Sequence, residues 1–199
     1  CCMNHHPLVT VYITNHNYGM YLKQSVESVL AQTCKNFELF IIDDGSTDDS
    51  REIIESYQGH PNISIIFQKN KGLLFSNNIA MRSAQGKYLM RLDADDFLAP
   101  EALEKMSSLL EQDERLGLVF PDYYYTDAKG NVIAREQRHN FRTDVSLYDI
   151  PAHGACTMIR ISALRAIGGY NELFTCQDGY QLWIQFVNRY HINNINEPL

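Results

Sequence analysis

Strongly apolar segments alternate with helix-like segments over the first half of this 199-residue chain. Strands are predicted at residues 8–14, 37–44, 63–68 and 87–93. Helices are predicted between them, at residues 21–33, 46–57 and 73–84. Neighbouring parallel strands need a crossover connection, which is usually a helix. The alternation therefore predicts an α/β fold with a mostly parallel central sheet flanked by helices.

The second half of the chain has a different pattern. A helix is predicted from Pro100 to about Asp113, then a hairpin over residues 116–136, a strand with a short helix, and an amphipathic helix over residues 178–190. Because the sequence contains no repeat, low-complexity tract or linker, we expect a single domain over residues 1–199. The sequence stops without a polar tail, so we also expect it to be a fragment of a longer protein.

Composition narrows the classes of partner. A net charge of −7 and a pI of about 5.4 argue against a general nucleic-acid binder, which needs a basic surface for the phosphate backbone. Binding of a mononucleotide is still compatible with this negative charge, because a divalent cation can bridge acidic side chains to a diphosphate. The five cysteines form no C-x-x-C motif, and no apolar run approaches the roughly 20 residues of a membrane span. We therefore expect a cytoplasmic protein with reduced thiols and no transmembrane segment.

Polar clusters follow three of the predicted strands, at residues 14–17, 43–46 and 93–96. Ligands of open α/β sheets bind at the carboxyl ends of the strands, so we expect these clusters to share one edge. Taken alone, residues 43–46 could be only a turn before a helix capped by Ser46 or Thr47. Residues 93–96 could likewise be only a solvated loop.

The third cluster suggests a metal site. Asp93 and Asp95 are two positions apart in a segment predicted to be extended, so their side chains can point to the same side. Two carboxylates so placed can share a hard cation such as Mg²⁺ or Mn²⁺, which prefers oxygen ligands and binds phosphate oxygens as well. The sequence therefore predicts a cation site after the fourth strand.

The motifs resemble, in order, those of family 2 glycosyltransferases, which have the GT-A fold. The resemblance runs from about Leu8 to Val187 and rests on the segments VTVYITNHNYGMYLKQSVESVLAQT, FELFIIDDGSTDDS, NKGLLFSNNIAMRSAQGKYLMRLDADD and GGYNELFTCQDGYQLWIQF. It implies an inverting, metal-dependent transferase that moves a sugar from a nucleoside diphosphate sugar, most often a UDP-sugar, to an acceptor hydroxyl. Residues 8–98 would bind the donor, and residues 99–199 would form the acceptor side.

The resemblance also implies roles for the residues of the nucleotide pocket. Thr14 and His16 would line this pocket, and Asp44 would accept a hydrogen bond from the base, typically from a uracil imide. Asp43 would support the pocket. Asp93 would lie near the ribose or the metal.

Two further roles concern catalysis. Asp95 would be the direct ligand of Mn²⁺ or Mg²⁺, and Asp178 would be the general base, although an aspartate at that place could also be only a helix N-cap.

The sequence departs from the family pattern at three positions. His16 replaces an aromatic residue that often stacks on the base, Gln177 replaces a glutamate, and Asn77 replaces an arginine that contacts the donor phosphates.

Other functions remain open from the sequence. A sugar-nucleotide-forming nucleotidyltransferase would have a similar sheet, but it usually begins with a glycine-rich phosphate loop, whereas the first strand here leads into residues 14–17. A non-catalytic module that binds a nucleotide or glycan is the second alternative. For an enzyme, the resemblance implies a glycan or lipid-linked acceptor and a role in polysaccharide biosynthesis, in the cytoplasm or at the inner face of a membrane.

Overall fold

The computed structural model describes residues 6–137, 156–173 and 178–199, without the side chains of residues 178–180. In chain order, its elements are β1 (Val9–Asn15), α1 (Gly19–Leu30), β2 (Phe37–Asp43), α2 (Ser50–Glu55), β3 (Ile63–Phe67), α3 (Leu73–Ser83), β4 (Tyr88–Asp93), α4 (Ala102–Gln112), β5 (Leu116–Thr126), β6 (Val132–Glu136), β7 (Thr157–Arg160), α5 (Ile161–Ala166), α6 (Asp178–Val187) and β8 (His191–Pro198). The predicted α/β alternation is confirmed, as are the hairpin and the short helix after β7.

The strands form one eight-stranded sheet in the described part of the chain. Its order is β3-β2-β1-β4-β7-β5-β6, and β8 pairs with β5 outside this path. Strands β1 to β4 are parallel to one another, whereas β7 is antiparallel to both β4 and β5. Because the chain runs from β1 to β2 and β3 and then returns to the other side of β1, the strand order reverses between β1 and β4. Such a switch point is where open α/β sheets usually bind ligands.

Both faces of the sheet are covered by helices. Side chains that alternate along β1 enter two different core clusters, as Val11 and Tyr12 do. One cluster includes residues of α1, α2 and α4, namely Leu22, Ile54 and Leu103. The other includes residues of α3, α5 and α6, namely Ala80, Leu164 and Trp183. Burial on both faces explains why the parallel strands are almost continuously apolar in sequence.

Two details differ from the sequence predictions. Helix α2 starts at Ser50, so the prediction that Ser46 or Thr47 caps this helix is wrong. The hydroxyl of Ser46 instead donates to Asp43 Oδ1 at 2.5 Å, within the turn that follows β2. Strand β8 was not predicted, because its sequence HINNINEP is mostly polar and partly exposed. It forms as a parallel neighbour of β5.

Asp48 ties the starts of two helices together. Its carboxylate accepts hydrogen bonds from the first amide of α1, Gly19 N at 3.0 Å, and from the first amide of α2, Ser50 N at 3.1 Å. Although desolvation opposes the shift, the hydrogen bonds from Ser50 and Gly19 hold the pKa of the Asp48 carboxyl below its usual value. A negative charge at two helix N-termini is also favoured by both helix dipoles.

We expect Asp48→Ala to lower the free energy of unfolding by about 1 kcal/mol, the usual cost of losing an N-cap side chain. Asp49→Ala is the matched control, because this substitution removes the same charge at the next position and Asp49 makes no side-chain cap hydrogen bond. Urea unfolding of both variants checks the difference. Equal losses would show that Asp48 acts only through its charge.

Candidate functional site

The register of the parallel strands brings the predicted polar clusters to one edge of the sheet, called here the rim. Asn15 at the end of β1 pairs with Asp43 at the end of β2. On the other side of β1, Thr14 pairs with Asp93 at the end of β4. The rim therefore contains Thr14, Asp43 and Asp93 side by side, at the switch point of the sheet.

Asp43 is used inside the turn that follows β2. It is 4% exposed, and its Oδ1 accepts from Asn15 Nδ2 at 2.9 Å and from the Ser46 hydroxyl. Its Oδ2 accepts from Ser46 N at 3.1 Å. These contacts agree with the interpretation of residues 43–46 as a turn. They also hold the loop that carries Asp44.

Asp44 binds the segment between β3 and α3. It is 7% exposed, and its Oδ1 accepts from Gln68 Nε2 at 2.7 Å and from Lys71 N at 2.8 Å. Its Oδ2 accepts from Gly72 N at 2.8 Å. A carboxylate has about four acceptor positions, so roughly one position remains for a ligand. The carboxylate predicted to recognise a base thus also anchors the neighbouring loop.

The close approach of this loop depends on Gly45. Its φ of 78° lies in the left-handed region, and a Cβ at this position would be only 2.8 Å from Asn70 N. Only glycine meets both requirements without a clash. The Asp-Asp-Gly-Ser sequence therefore provides two anchoring carboxylates and the space for residues 70–72 to pack against them.

His16 lies at the exposed part of the rim. Its Nδ1 donates to the Asp44 carbonyl oxygen at 2.9 Å, and its Nε2 lies 3.3 Å from Asn70 Nδ2, an amide nitrogen that donates. These partners fit the tautomer with the proton on Nδ1. The ring is held at both edges, which leaves its faces available for stacking against a planar ligand.

Asn17 connects the end of β1 to the loop before α2. Its Oδ1 accepts from Thr47 N at 2.7 Å, and its own amide donates to Ser46 Oγ at 2.9 Å. Its φ of 62° is one that asparagine adopts more readily than most residues. We did not predict this link, because no local pattern in residues 14–17 identifies a partner 30 positions away.

Arg91 is a charged residue of the rim that the sequence analysis missed. Its guanidinium binds Asp93 at both carboxylate oxygens, with Nε to Oδ1 at 3.1 Å and Nη2 to Oδ2 at 3.3 Å. Only 13% of the Arg91 side chain is exposed, so water screens this ion pair weakly. Thr14 Oγ1 lies 3.5 Å from Asp93 Oδ1. The available signal was the i, i+2 spacing of Arg91 and Asp93 on one strand face.

Asp95 and Asp96 lie in a turn after β4. The amide of Asp96 donates to the Asp93 carbonyl at 3.0 Å, so the prediction that residues 93–95 are extended is wrong. Asp93 ends the strand and pairs with Arg91, whereas Asp95 is exposed beyond it. Desolvation in the concave wall, together with the charges of Asp93 and Asp95, raises the pKa of the Asp96 carboxyl to about 6. Negative charge is therefore in excess at this turn.

The side chains at this turn provide some of the ligands that a hard divalent cation needs. Carboxylate oxygens are the right ligands, and the excess negative charge favours a cation. Among the described residues, however, no group of three or more histidine, cysteine, aspartate or glutamate side chains is arranged to hold a metal ion. In nucleotide sites Mg²⁺ takes only one or two carboxylates from the protein and the remaining ligands from phosphate and water. The turn offers two carboxylates, those of Asp95 and Asp96.

A cavity of about 610 Å³ adjoins the acidic turn. Its lining includes Asp95, Asp96 and Phe97 after β4, and Tyr123, Tyr125 and Val132 of the β5–β6 hairpin. This volume is within the range of small-molecule sites, about 300–1,000 Å³. We refer to it as the aromatic cavity.

Three further positions were named in the sequence analysis, namely Asp178, Gln177 and Asn77. Helix α6 begins at Asp178, but the Asp178 side chain and all of Gln177 lie outside the described residues. Asn77 is fully buried and accepts from the Tyr12 hydroxyl at 3.1 Å. Its side chain thus bonds to a core residue of β1, and the predicted effect on donor phosphates stays a prediction.

Comparison with known proteins gives a family match over most of the chain. The family model described as "Glycosyl transferase family 2" matches residues 10–168. The chain is similar to a chondroitin synthase of Escherichia coli, with 33% identity over 192 residues that cover 96% of this chain. Those residues cover only 28% of the E. coli protein, so the chain spans little more than a quarter of that relative's length.

Two solved structures have a similar fold. TarS of S. aureus in complex with UDP superimposes with a TM-score of 0.77 at 17% identity, covering 94% of this chain and 57% of TarS. The mannosyltransferase PcManGT of Pyrobaculum calidifontis, in complex with GDP-Man and Mn²⁺, gives a TM-score of 0.74 at 19% identity, with 96% and 55% covered. The GT-A fold expected from the sequence is thereby confirmed.

We expect Asp44→Ala to release residues 70–72. The Lys71 and Gly72 amides would lose their acceptor, which should speed their hydrogen exchange and lower the free energy of unfolding by roughly 1–3 kcal/mol. Asp43→Ala is the matched control, because it should instead speed exchange at the Ser46 amide. NMR-detected exchange distinguishes the two. Unchanged protection of Lys71 and Gly72 in Asp44→Ala would contradict the anchoring role.

Proposed function

The chain belongs to glycosyl transferase family 2, and we propose that it transfers a sugar from a UDP-sugar to an acceptor hydroxyl in glycan biosynthesis. The observation that carries this proposal is the convergence of Asp44, Asp93 and Asp95 at the switch point of the sheet, in a chain whose residues 10–168 match the family. The match to a glycosyltransferase family favours sugar transfer over the formation of sugar nucleotides.

The donor would lie across the rim with its base near Asp44. The remaining acceptor position on Asp44 suits the imide N–H of uracil, and the face of His16 can stack against the ring. UDP is bound in the TarS structure and GDP-Man in PcManGT, so guanosine diphosphate is the competing nucleotide. Because a single free acceptor position fits the one N–H of uracil better than the several donors of guanine, we favour UDP.

The diphosphate would lie at the acidic turn. We propose that Asp95 is a direct ligand of Mn²⁺ or Mg²⁺, with Asp93 beside it near the ribose or metal. Such a cation, when bound, acts as a Lewis acid that stabilises the charge on the leaving diphosphate. Arg91 holds Asp93 through two contacts and thereby fixes the position of its carboxylate. The structure of PcManGT includes Mn²⁺, which agrees with this arrangement.

The reaction itself would be a single displacement with inversion at the anomeric carbon. We propose that Asp178, at the start of α6, accepts the proton of the acceptor hydroxyl as that oxygen attacks. The bond between the anomeric carbon and the diphosphate oxygen breaks, and the bonding electron pair leaves with the diphosphate. The rim residues Thr14, His16, Asp43 and Asp44 hold the donor in place, which lowers the entropic part of the barrier.

The two halves of the chain would divide these tasks within one domain. Residues 8–98 provide the donor side, residues 99–199 provide the acceptor side, and the aromatic cavity is lined by residues of both. We propose a glycan or lipid-linked acceptor, with the enzyme in the cytoplasm or at the inner face of a membrane. None of the described helices has the length and apolar character of a membrane span.

We expect Asp178→Asn to lower transfer by about 10²–10⁴-fold, because an amide does not accept the acceptor proton at neutral pH. The affinity for UDP with Mn²⁺ should stay nearly unchanged, since other residues hold the nucleotide. Both quantities are measured on one preparation, by release of UDP from UDP-sugars and by calorimetric titration. Glu101→Gln serves as control, because this exposed residue makes no side-chain cap hydrogen bond.

The result also separates an enzyme from a binding module. If Asp178 is only a helix N-cap, turnover per folded molecule will be unchanged and only stability will fall. Nucleotide binding with no turnover in the unaltered protein, with any UDP-sugar, would favour a non-catalytic module.

A further inference from the structure

The aromatic cavity has features that identify a ligand class. We propose that Tyr123 and Tyr125 form a binding wall for an uncharged pyranose unit of the acceptor, and that Asp95 and Asp96 exclude acceptors carrying a carboxylate. This inference rests on the proposed function, because it names the acceptor of the same reaction.

The position of the cavity favours the acceptor over the nucleotide. Asp44 and His16, which would hold the base, lie at the end of β2 and β1, on one side of the switch point. The acidic turn follows β4 on the other side, and the cavity continues from this turn toward β5 and β6. A donor laid from Asp44 to Asp95 thus presents its sugar toward the cavity. The attacking hydroxyl must approach from that side.

The wall has the shape and chemistry for a sugar ring. Tyr123 and Tyr125 project to the same side of β5, their ring centroids are 5.2 Å apart, and the rings meet edge to face at 77°. Their hydroxyls are hydrogen-bonded at 3.1 Å, and half of Tyr125 is exposed. A pyranose has axial C–H groups that pack on aromatic faces and equatorial hydroxyls that bond to phenols. Tyrosine offers both an apolar body and a polar tip.

An apolar floor completes this surface. Val132 of β6 and Phe97 after β4 both line the cavity, and they are 58% and 37% exposed. Exposed apolar groups that border one concave site often mark a ligand surface. The hairpin turn at Asp127 to Gly130, with its internal hydrogen bonds, holds β6 in register against Tyr125. The wall is therefore built on a fixed hairpin.

The charge of the cavity selects against anionic acceptors. Its charged groups in the described lining are Arg91, Asp93, Asp95 and Asp96, and the guanidinium of Arg91 already pairs with Asp93. Asp95 and Asp96 remain as excess negative charge, and a divalent cation does not remove it, because the diphosphate that it accompanies brings at least as much negative charge. A uronate carboxylate would meet like charge, and the described lining has no further basic side chain to pair with it, which disfavours binding. A neutral pyranose meets no such penalty.

The test measures binding of methyl β-glycosides by saturation-transfer NMR, with UDP and Mn²⁺ present. The neutral probes are the methyl β-glycosides of glucose, galactose, N-acetylglucosamine and N-acetylgalactosamine, and the anionic probe is methyl β-glucuronide. At least one neutral probe should bind, and the glucuronide should bind roughly tenfold more weakly because of charge repulsion. Equal or tighter binding of the glucuronide, or no binding by any neutral probe, would overturn the proposal.

Variants locate the probe in the cavity. Tyr125→Ala should weaken neutral-probe binding by about three- to tenfold through the lost stacking surface, whereas Tyr125→Phe should retain most of it. Ile133→Ala is the matched control, because Ile133 is exposed on the same hairpin and does not line the cavity. An unchanged affinity in Tyr125→Ala would contradict the assignment. Weaker binding of UDP-N-acetylglucosamine in this variant would instead place the donor sugar in the cavity.

The affinity for UDP with Mn²⁺ is the separate readout for the proposed function. If UDP binds and the glycosides do not, only the acceptor proposal fails. If glycosides bind at Tyr125 and UDP does not bind, the cavity is a glycan site and the transferase proposal fails.

Discussion

Parallel pairing of β1 with both β2 and β4 brings five acidic residues to one rim, and their mutual repulsion must be compensated. Asp43 is compensated by donors of its own turn, Asp44 by the amides of Lys71 and Gly72, and Asp93 by Arg91. Among the described residues, the carboxylates of Asp95 and Asp96 have no comparable partner. The same strand register that concentrates the carboxylates thus leaves negative charge where the proposed cation and diphosphate would bind.

The fold was largely predictable, because the signal that identifies each parallel strand is local. A strand buried on both faces must be apolar almost throughout, and β1, β2 and β4 are. Strand β8 has no such signal, since its residues are mostly polar and it forms only because β5 offers a free edge. The start of α2 also depends on a contact that the sequence around it does not identify. Ser46 has the side chain of a cap residue, but its hydroxyl donates to Asp43 within the preceding turn.

The site was predictable to the extent that strand ends converge. That rule placed Thr14, Asp43 and Asp93 together without any tertiary information. It did not identify the bond from Asp44 to Gly72, because that contact depends on how the loop before α3 packs against the end of β2. The geometry at Asp95 also differs from the prediction, since a turn rather than an extended strand follows Asp93.

The central claim is that the rim binds a nucleoside diphosphate together with a divalent cation. Crystals grown with UDP and MnCl₂ test it directly, because anomalous scattering at the manganese edge locates the ion. The account predicts one manganese peak within bonding distance of an Asp95 oxygen and of the diphosphate, with the uracil imide facing Asp44. A manganese ion bound elsewhere, or UDP seated away from Asp44 and Asp95, would contradict it.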